Sequence, residues 1–350
     1  MILLANHNQK KNWRKLIAPY EKVHVGRSIW QLINTFVPFL LLWYLAYQSL
    51  TISYLFTLLL AVPAAGLLVR IFIIFHDCCH GAFFPNRKVN TIIGMITGLF
   101  VFSPFEQWRY SHSRHHATSG NLDHRGVGDI WTLTVTEYLA LPWYKRLAYR
   151  LYRNPLIMFG FGAVYLFLIS YRFNRKGARK KERYNTYLTN LLLVGVISLL
   201  CWWLGWKSFL LVHGPIFLIA GTAGVWLFYV QHQFEGTYFE KGENWNHVDA
   251  ALKGSSFYQL PRVLNWFTGS IGYHHIHHLS PRVPNYNLRR AHEEVPMFQE
   301  IKPITLWTSL KSITYRIWDE DRKKLMGFGY IKEYLYAQKQ KSFEERSHSA

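Results

Sequence analysis

Long apolar runs alternate with heavily charged stretches along this chain of 350 residues, and the runs fall into two length classes. Six stand out, at residues 29–47, 52–75, 91–105, 155–170, 188–206 and 209–230. A helix crossing the hydrocarbon core of a bilayer needs about 20 apolar residues, which the first, second, fifth and sixth runs supply. The third and fourth are shorter and match interfacial or re-entrant helices. Beyond Val230 the chain is polar and mixed in charge, without another long run. The pattern predicts an all-α integral membrane protein. Four transmembrane helices form two hairpins, joined by short interfacial or re-entrant helices and followed by a cytosolic helical cap. The expected division is a basic cytosolic arm (1–28), a membrane domain (29–230) and a cap (231–350). Within the membrane domain lie a cytosolic insert (106–154) and a basic loop (171–187).

Charge orients these elements. The N-terminal arm carries Lys10, Lys11, Arg14, Lys15, Lys22 and Arg27, and the stretch after the fourth run carries Arg172, Arg175, Lys176, Arg179, Lys180, Lys181 and Arg183. Residues 48–51 have no charge, and the turn between the last two runs has only Lys207. The positive-inside rule therefore places both basic stretches and both termini in the cytoplasm of a multi-pass cell-membrane protein. Trp43, Tyr44 and Tyr47 in one hairpin, and Trp202, Trp203 and Trp206 in the other, fall where an outer aromatic belt belongs. Arg70, the one charge inside a spanning run, lies close enough to its end to snorkel toward the cytoplasmic interface.

Composition narrows the classes of function. Lys and Arg total 40 against 20 Asp and Glu, a net charge of +20 that suits nucleic acid or an anionic membrane surface. The apolar runs decide for the membrane and against nucleic acid. Three cysteines, two of them the adjacent Cys78 and Cys79, make no disulfide framework and fit a reducing compartment. Residues 1–28 lack the hydrophobic core of a cleavable signal peptide.

Histidine carries the chemistry. Nine of the 17 histidines fall in three five-residue windows: His76 to His80, His112 to His116, and His274 to His278. Even scattering would put about 0.7 of them there. HxxxH sets two imidazoles one helical turn apart on one face, and HxxHH adds a third. Each window is thus a chelate of neutral ring nitrogens. All three follow segments that end on the cytoplasmic side, as does His232, which joins them as a ninth candidate. His213 lies toward the opposite end and reads as a hydrogen-bonded bundle histidine. Eight or nine imidazoles exceed what one tetrahedral zinc takes, so two metals fit the count, although imidazole spacing alone does not choose the metal. Asp77 stands where a zinc metalloprotease needs Glu in HExxH, which argues against an intramembrane protease. Asp123 and Asp129, after the second window, are candidates to orient ligand imidazoles, with ordinary loop capping the alternative reading. Cys78 and Cys79 read as helix filler, Trp108 and Tyr110 as interfacial aromatics, and His124, His247 and His292 as solvated.

The three windows resemble the histidine boxes of the membrane-bound fatty acid desaturase family in order, spacing and location. The likeness extends to Arg70–His80, 121–131 and 272–284, covers nearly the whole chain, and is closest to the delta-5 acyl-lipid desaturases of bacilli. It implies two iron ions held by His76, His80, His112, His115, His116, His274, His277 and His278, with His232 as the ninth ligand and His275 outside the set. It also implies molecular oxygen, an acyl chain of a membrane phospholipid as substrate, and a separate ferredoxin-like or flavodoxin-like electron donor, since no cytochrome b5 domain is fused. Related membrane hydroxylases carry similar boxes and are the nearest alternative reading. A histidine-rich metal transporter or sensor is a more distant one, disfavoured by spanning runs nearly free of polar groups. A lipid-binding scaffold, in which the histidines would be dispensable, is the other non-enzymatic reading.

Overall fold

Helices α1 (Val25–Ser49), α2 (Tyr54–His80), α6 (Lys180–Leu204) and α7 (Trp206–His232) carry the long apolar runs in a computed structural model that describes residues 12–348. All four are long and apolar enough to cross a membrane. Lys10 and Lys11 of the basic arm lie outside the described residues. The Ser53 side chain caps the start of α2 by accepting from the Leu55 N–H. At the other end Gly81 takes the left-handed conformation, with φ 70°, that closes a helix directly after His80. So α2 runs five residues past its apolar run, and the first histidine pair rides on that extension. It is the central helix, packed against α1 and α7 along much of its length.

The two short runs do not cross as straight helices. Helix α3 (Arg87–Phe100), capped by the Asn86 side chain, meets α4 (Phe105–Thr118) at 100°. The turn between them is tight, because Gly98 lies so close to the Ser103 carbonyl that a Cβ there would sit 2.6 Å from its oxygen. Helix α5 (Trp143–Tyr152) meets residues Leu156–Arg172 at 65°. That second limb winds as π-helix over Leu156–Phe161 and Tyr165–Ile169, and it packs on α7, where Thr222 Oγ1 donates to the Phe159 carbonyl. Only Gly205 separates α6 from α7, so Trp206 opens the last spanning helix instead of closing the one before it.

The last third of the chain is less purely helical than its polarity suggests. Short helices α8 (His247–Gly254), α9 (Arg262–Phe267), α10 (His274–Leu279) and α11 (Asn285–Glu294) are joined by two small two-stranded sheets, Phe257–Tyr258 with Pro303–Ile304 and Ile317–Asp319 with Lys324–Met326. These strands are too short for an alternating pattern to announce them. Arg70 also departs from expectation. It does not snorkel to water, because α9 covers it. The guanidinium is buried, stacks on Trp266 at 4.2 Å, and donates to Thr35 Oγ1 at 3.1 Å and to the Trp266 carbonyl.

Candidate metal centre

Two groups of imidazoles meet where α2 and α7 end. His76, His80, His112, His116 and His277 form one, and His115, His232, His274 and His278 the other; within each, the ring nitrogens lie within 4.8 Å of one another. Eight of the nine rings are buried and His80 is partly so. The groups adjoin, with His116 of the first stacked on His278 of the second at 4.1 Å. The division follows helical geometry. In α4 the i, i+4 pair His112 and His116 serves the first group while His115 serves the second. In α10 the i, i+4 pair His274 and His278 serves the second while His277 crosses to the first. An HxxHH helix therefore aims one pair at one centre and its i+3 histidine at the other.

Hydrogen bonds fix how several rings face. His115 Nδ1 donates to Asp129 Oδ1 at 2.5 Å, and His232 Nδ1 donates to the Gly254 carbonyl at 3.2 Å. Both partners only accept, so each ring turns a lone pair outward at Nε2. These two Nε2 atoms stand 3.1 Å apart, and His274 Nε2 lies 3.1 Å from that of His232. Two lone pairs at that separation, with no hydrogen between them, repel. A cation held between them reverses the sign. In the first group His116 Nε2 lies 3.1 Å from His112 Nε2 and 3.0 Å from His277 Nε2, and His80 Nε2 is buried without a hydrogen-bond partner among the described residues. Buried, neutral and mutually facing nitrogens are a donor set suited to two divalent transition metals.

Asp129 reaches His115 because the loop after the second window presses on α4. Gly128, with φ 78°, comes so close that a Cβ would lie 2.7 Å from the Ser111 carbonyl oxygen. Asp123, the other candidate in that loop, touches no imidazole among the described residues. It is exposed and accepts from the Gly242 N–H at 2.7 Å, a loop cap and not an orienting group. A carboxylate that the spacing argument used only to exclude a protease takes its place. Asp77 is buried, its Oδ1 lies 3.2 Å from His76 Nδ1, and its Oδ2 accepts from both the backbone and the side-chain N–H of Asn285, each at 2.8 Å. His275 belongs to neither group and packs against Phe257, His292 and Phe298. His213 accepts from Trp43 Nε1 at 3.4 Å, as a bundle histidine should.

Burial first, and neighbouring imidazoles second, hold His274, His277 and His278 well below the usual histidine value of 6.5. An unfolded chain takes up protons near pH 6.5 that the folded site refuses. Stability is therefore full above that pH and is lost as the pH falls below it. Titrating the purified protein from about pH 7.5 to about pH 5 should release bound metal and lower the thermal transition. Metal retained with an unshifted transition would contradict the neutral-histidine site.

The comparisons with known proteins agree on one family. The family model described as "Fatty acid desaturase" matches residues 50–308. The chain is 58% identical to the "Fatty acid desaturase" of Bacillus subtilis (strain 168) over 325 residues, covering 93% of this chain and 92% of that protein. It is 30% identical to the "sn-1 acyl-lipid omega-3 desaturase (ferredoxin)" of Synechocystis, covering 64% of this chain and 63% of that one. The chloroplastic "Omega-6 fatty acid desaturase" of Arabidopsis thaliana is also 30% identical, over 64% of this chain and 50% of its own length.

Proposed function

The chain belongs to the fatty acid desaturase family of oxidoreductases, and from that premise we propose that it inserts a cis double bond, at the delta-5 position, into acyl chains of phospholipids in the cell membrane. In the balanced reaction a –CH2–CH2– unit loses two hydrogens to become –CH=CH–. One O2 takes those two hydrogens, two electrons from a separate ferredoxin-like or flavodoxin-like donor and two protons, and leaves as two waters.

The observation that carries this reading is the pair of buried imidazole groups whose ring nitrogens face one another at the ends of two spanning helices. His76, His80, His112, His116 and His277 would hold one iron, and His115, His232, His274 and His278 the other. Iron, when bound, supplies an oxidant strong enough for an unactivated methylene. The rest is the work of the chain. Asp77, Asp129 and the Gly254 carbonyl fix the tautomer and direction of three ligand rings. Trp108 stacks on His112 at 4.3 Å and, with Phe72 and Phe75 edge-on against it, forms an aromatic wall beside the first group. Phe228 lies 5.2 Å from His115 and 5.3 Å from His232 beside the second. Such a lining excludes water and offers methylenes an apolar surface. The basic residues 172–183, which lead into and open α6 at the same end as the histidines, support placing the site on the cytoplasmic face.

Expression in a host without polyunsaturated lipids, followed by double-bond mapping of its phospholipids, tests this. A new delta-5 cis double bond with two irons per chain is the expected result. An iron-loaded, reductant-supplied enzyme that yields no alkene would refute the proposal, and an alcohol in its place would assign a hydroxylase.

A further inference from the structure

We propose that the outer face of α4, together with the basic loop strapped across its start, is the docking surface for an acidic, water-soluble electron-transfer protein. The inference rests on the desaturase reading, which requires two electrons per turnover from a donor. Helix α4 has two faces. Inward it buries His112, His115 and His116 and so supplies both imidazole groups. Outward, at helical spacing, it presents Tyr110, Ser113, Arg114 and Ala117, of which the last three are exposed. The other helix that supplies both groups, α10, has all six of its residues buried. A helix with its side chains is about 10–12 Å across. A protein seated on the outer face of α4 is thus one helix away from both centres, and electron transfer weakens steeply with distance.

Charge favours the same face. Residues 171–187 hold seven cations and one acid, Glu182. That acid is buried and taken by Arg175 and Arg179, while the buried Glu106 of α4 is taken by Arg109 and Lys181. Arg175 also stacks on Tyr110 at 3.7 Å. These contacts tie the loop to α4. They leave Arg114, Lys176, Lys180 and Arg183 exposed and without an acidic partner among the described residues. On the cap several cations are matched by acids: Lys241 with Glu320, Lys311 with Glu235, Arg289 with Glu293 and Arg290 with Glu294. An unmatched cationic field speeds encounter with an acidic partner and orients it.

The test uses the iron-loaded enzyme in phosphatidylcholine nanodiscs, with a reduced acidic plant-type ferredoxin as probe, and compares it with the triple variant R114E/K176E/K180E. The expected result is an apparent KM for ferredoxin raised about tenfold, with turnover driven by a small chemical reductant unchanged. In the parent enzyme that KM should also climb with ionic strength. An unchanged KM in the variant would overturn the surface. So would a defect that appears only when anionic lipid is added, since that would assign these cations to headgroups. Absence of product with either reductant would instead sink the desaturase reading, and the surface with it.

Discussion

Replacing His277 with alanine should abolish desaturation while leaving the chain in the membrane. The ring belongs to the five-nitrogen group, with its Nε2 3.0 Å from that of His116 and its centroid 4.4 Å from that of His76. It sits on the six-residue α10, whereas insertion depends on the apolar lengths of α1, α2, α6 and α7. The variant should therefore fractionate with membranes, bind fewer than two irons and form no product. His115→Ala, taken from the other group, should do the same. Fatty-acid analysis, iron per chain and membrane fractionation together check this. Retained turnover in either variant removes that histidine from the ligand set.

The second large effect is expected at Asp77, through His76. Its carboxylate links the first box to α11, and Asn285 in turn accepts from Gln31 Nε2 of α1 at 3.2 Å, so three elements hold one ligand ring. Asp77→Ala should weaken iron retention or activity by about 10–100-fold. It should also destabilise the protein by about 1–3 kcal/mol, since both Asn285 donors are left buried and unpaired. Asp77→Asn preserves the shape and an accepting oxygen, so a milder iron defect is expected. Iron loss to a chelator and the thermal transition read the two effects separately. Parent-like iron retention in the alanine variant would make Asp77 a packing residue only.

What could be read from the sequence is what local geometry determines. Apolar run length gave the four spanning helices, and helical periodicity gave the histidine faces, because both depend on residues a few positions apart. His232 was reachable because it ends a helix on the same side as the boxes. The role of Asp77 was not, since its partner Asn285 lies 208 residues away. Asp123 and Asp129 look alike as acids in one loop. The glycine before Asp129 was the usable signal, for it lets the backbone come against the helix that bears His115. Arg70 departs from expectation for a similar reason. A cation near the end of a spanning run snorkels only if nothing lies above it, and here α9 does.

The crossing of His277 and His115 between the two groups has a consequence for assembly. Because α4 and α10 each reach into both centres, an ion captured by one centre sets the rotation and position of helices that build the other. The second ion then meets rings already in place and forgoes part of the ordering entropy that the first had to overcome. Loading should accordingly be nearly all-or-none across a population of molecules. On the two-iron reading proposed above, scarce iron should leave fully charged and empty copies with few half-filled ones, a distribution that native mass spectrometry of metal per chain reads.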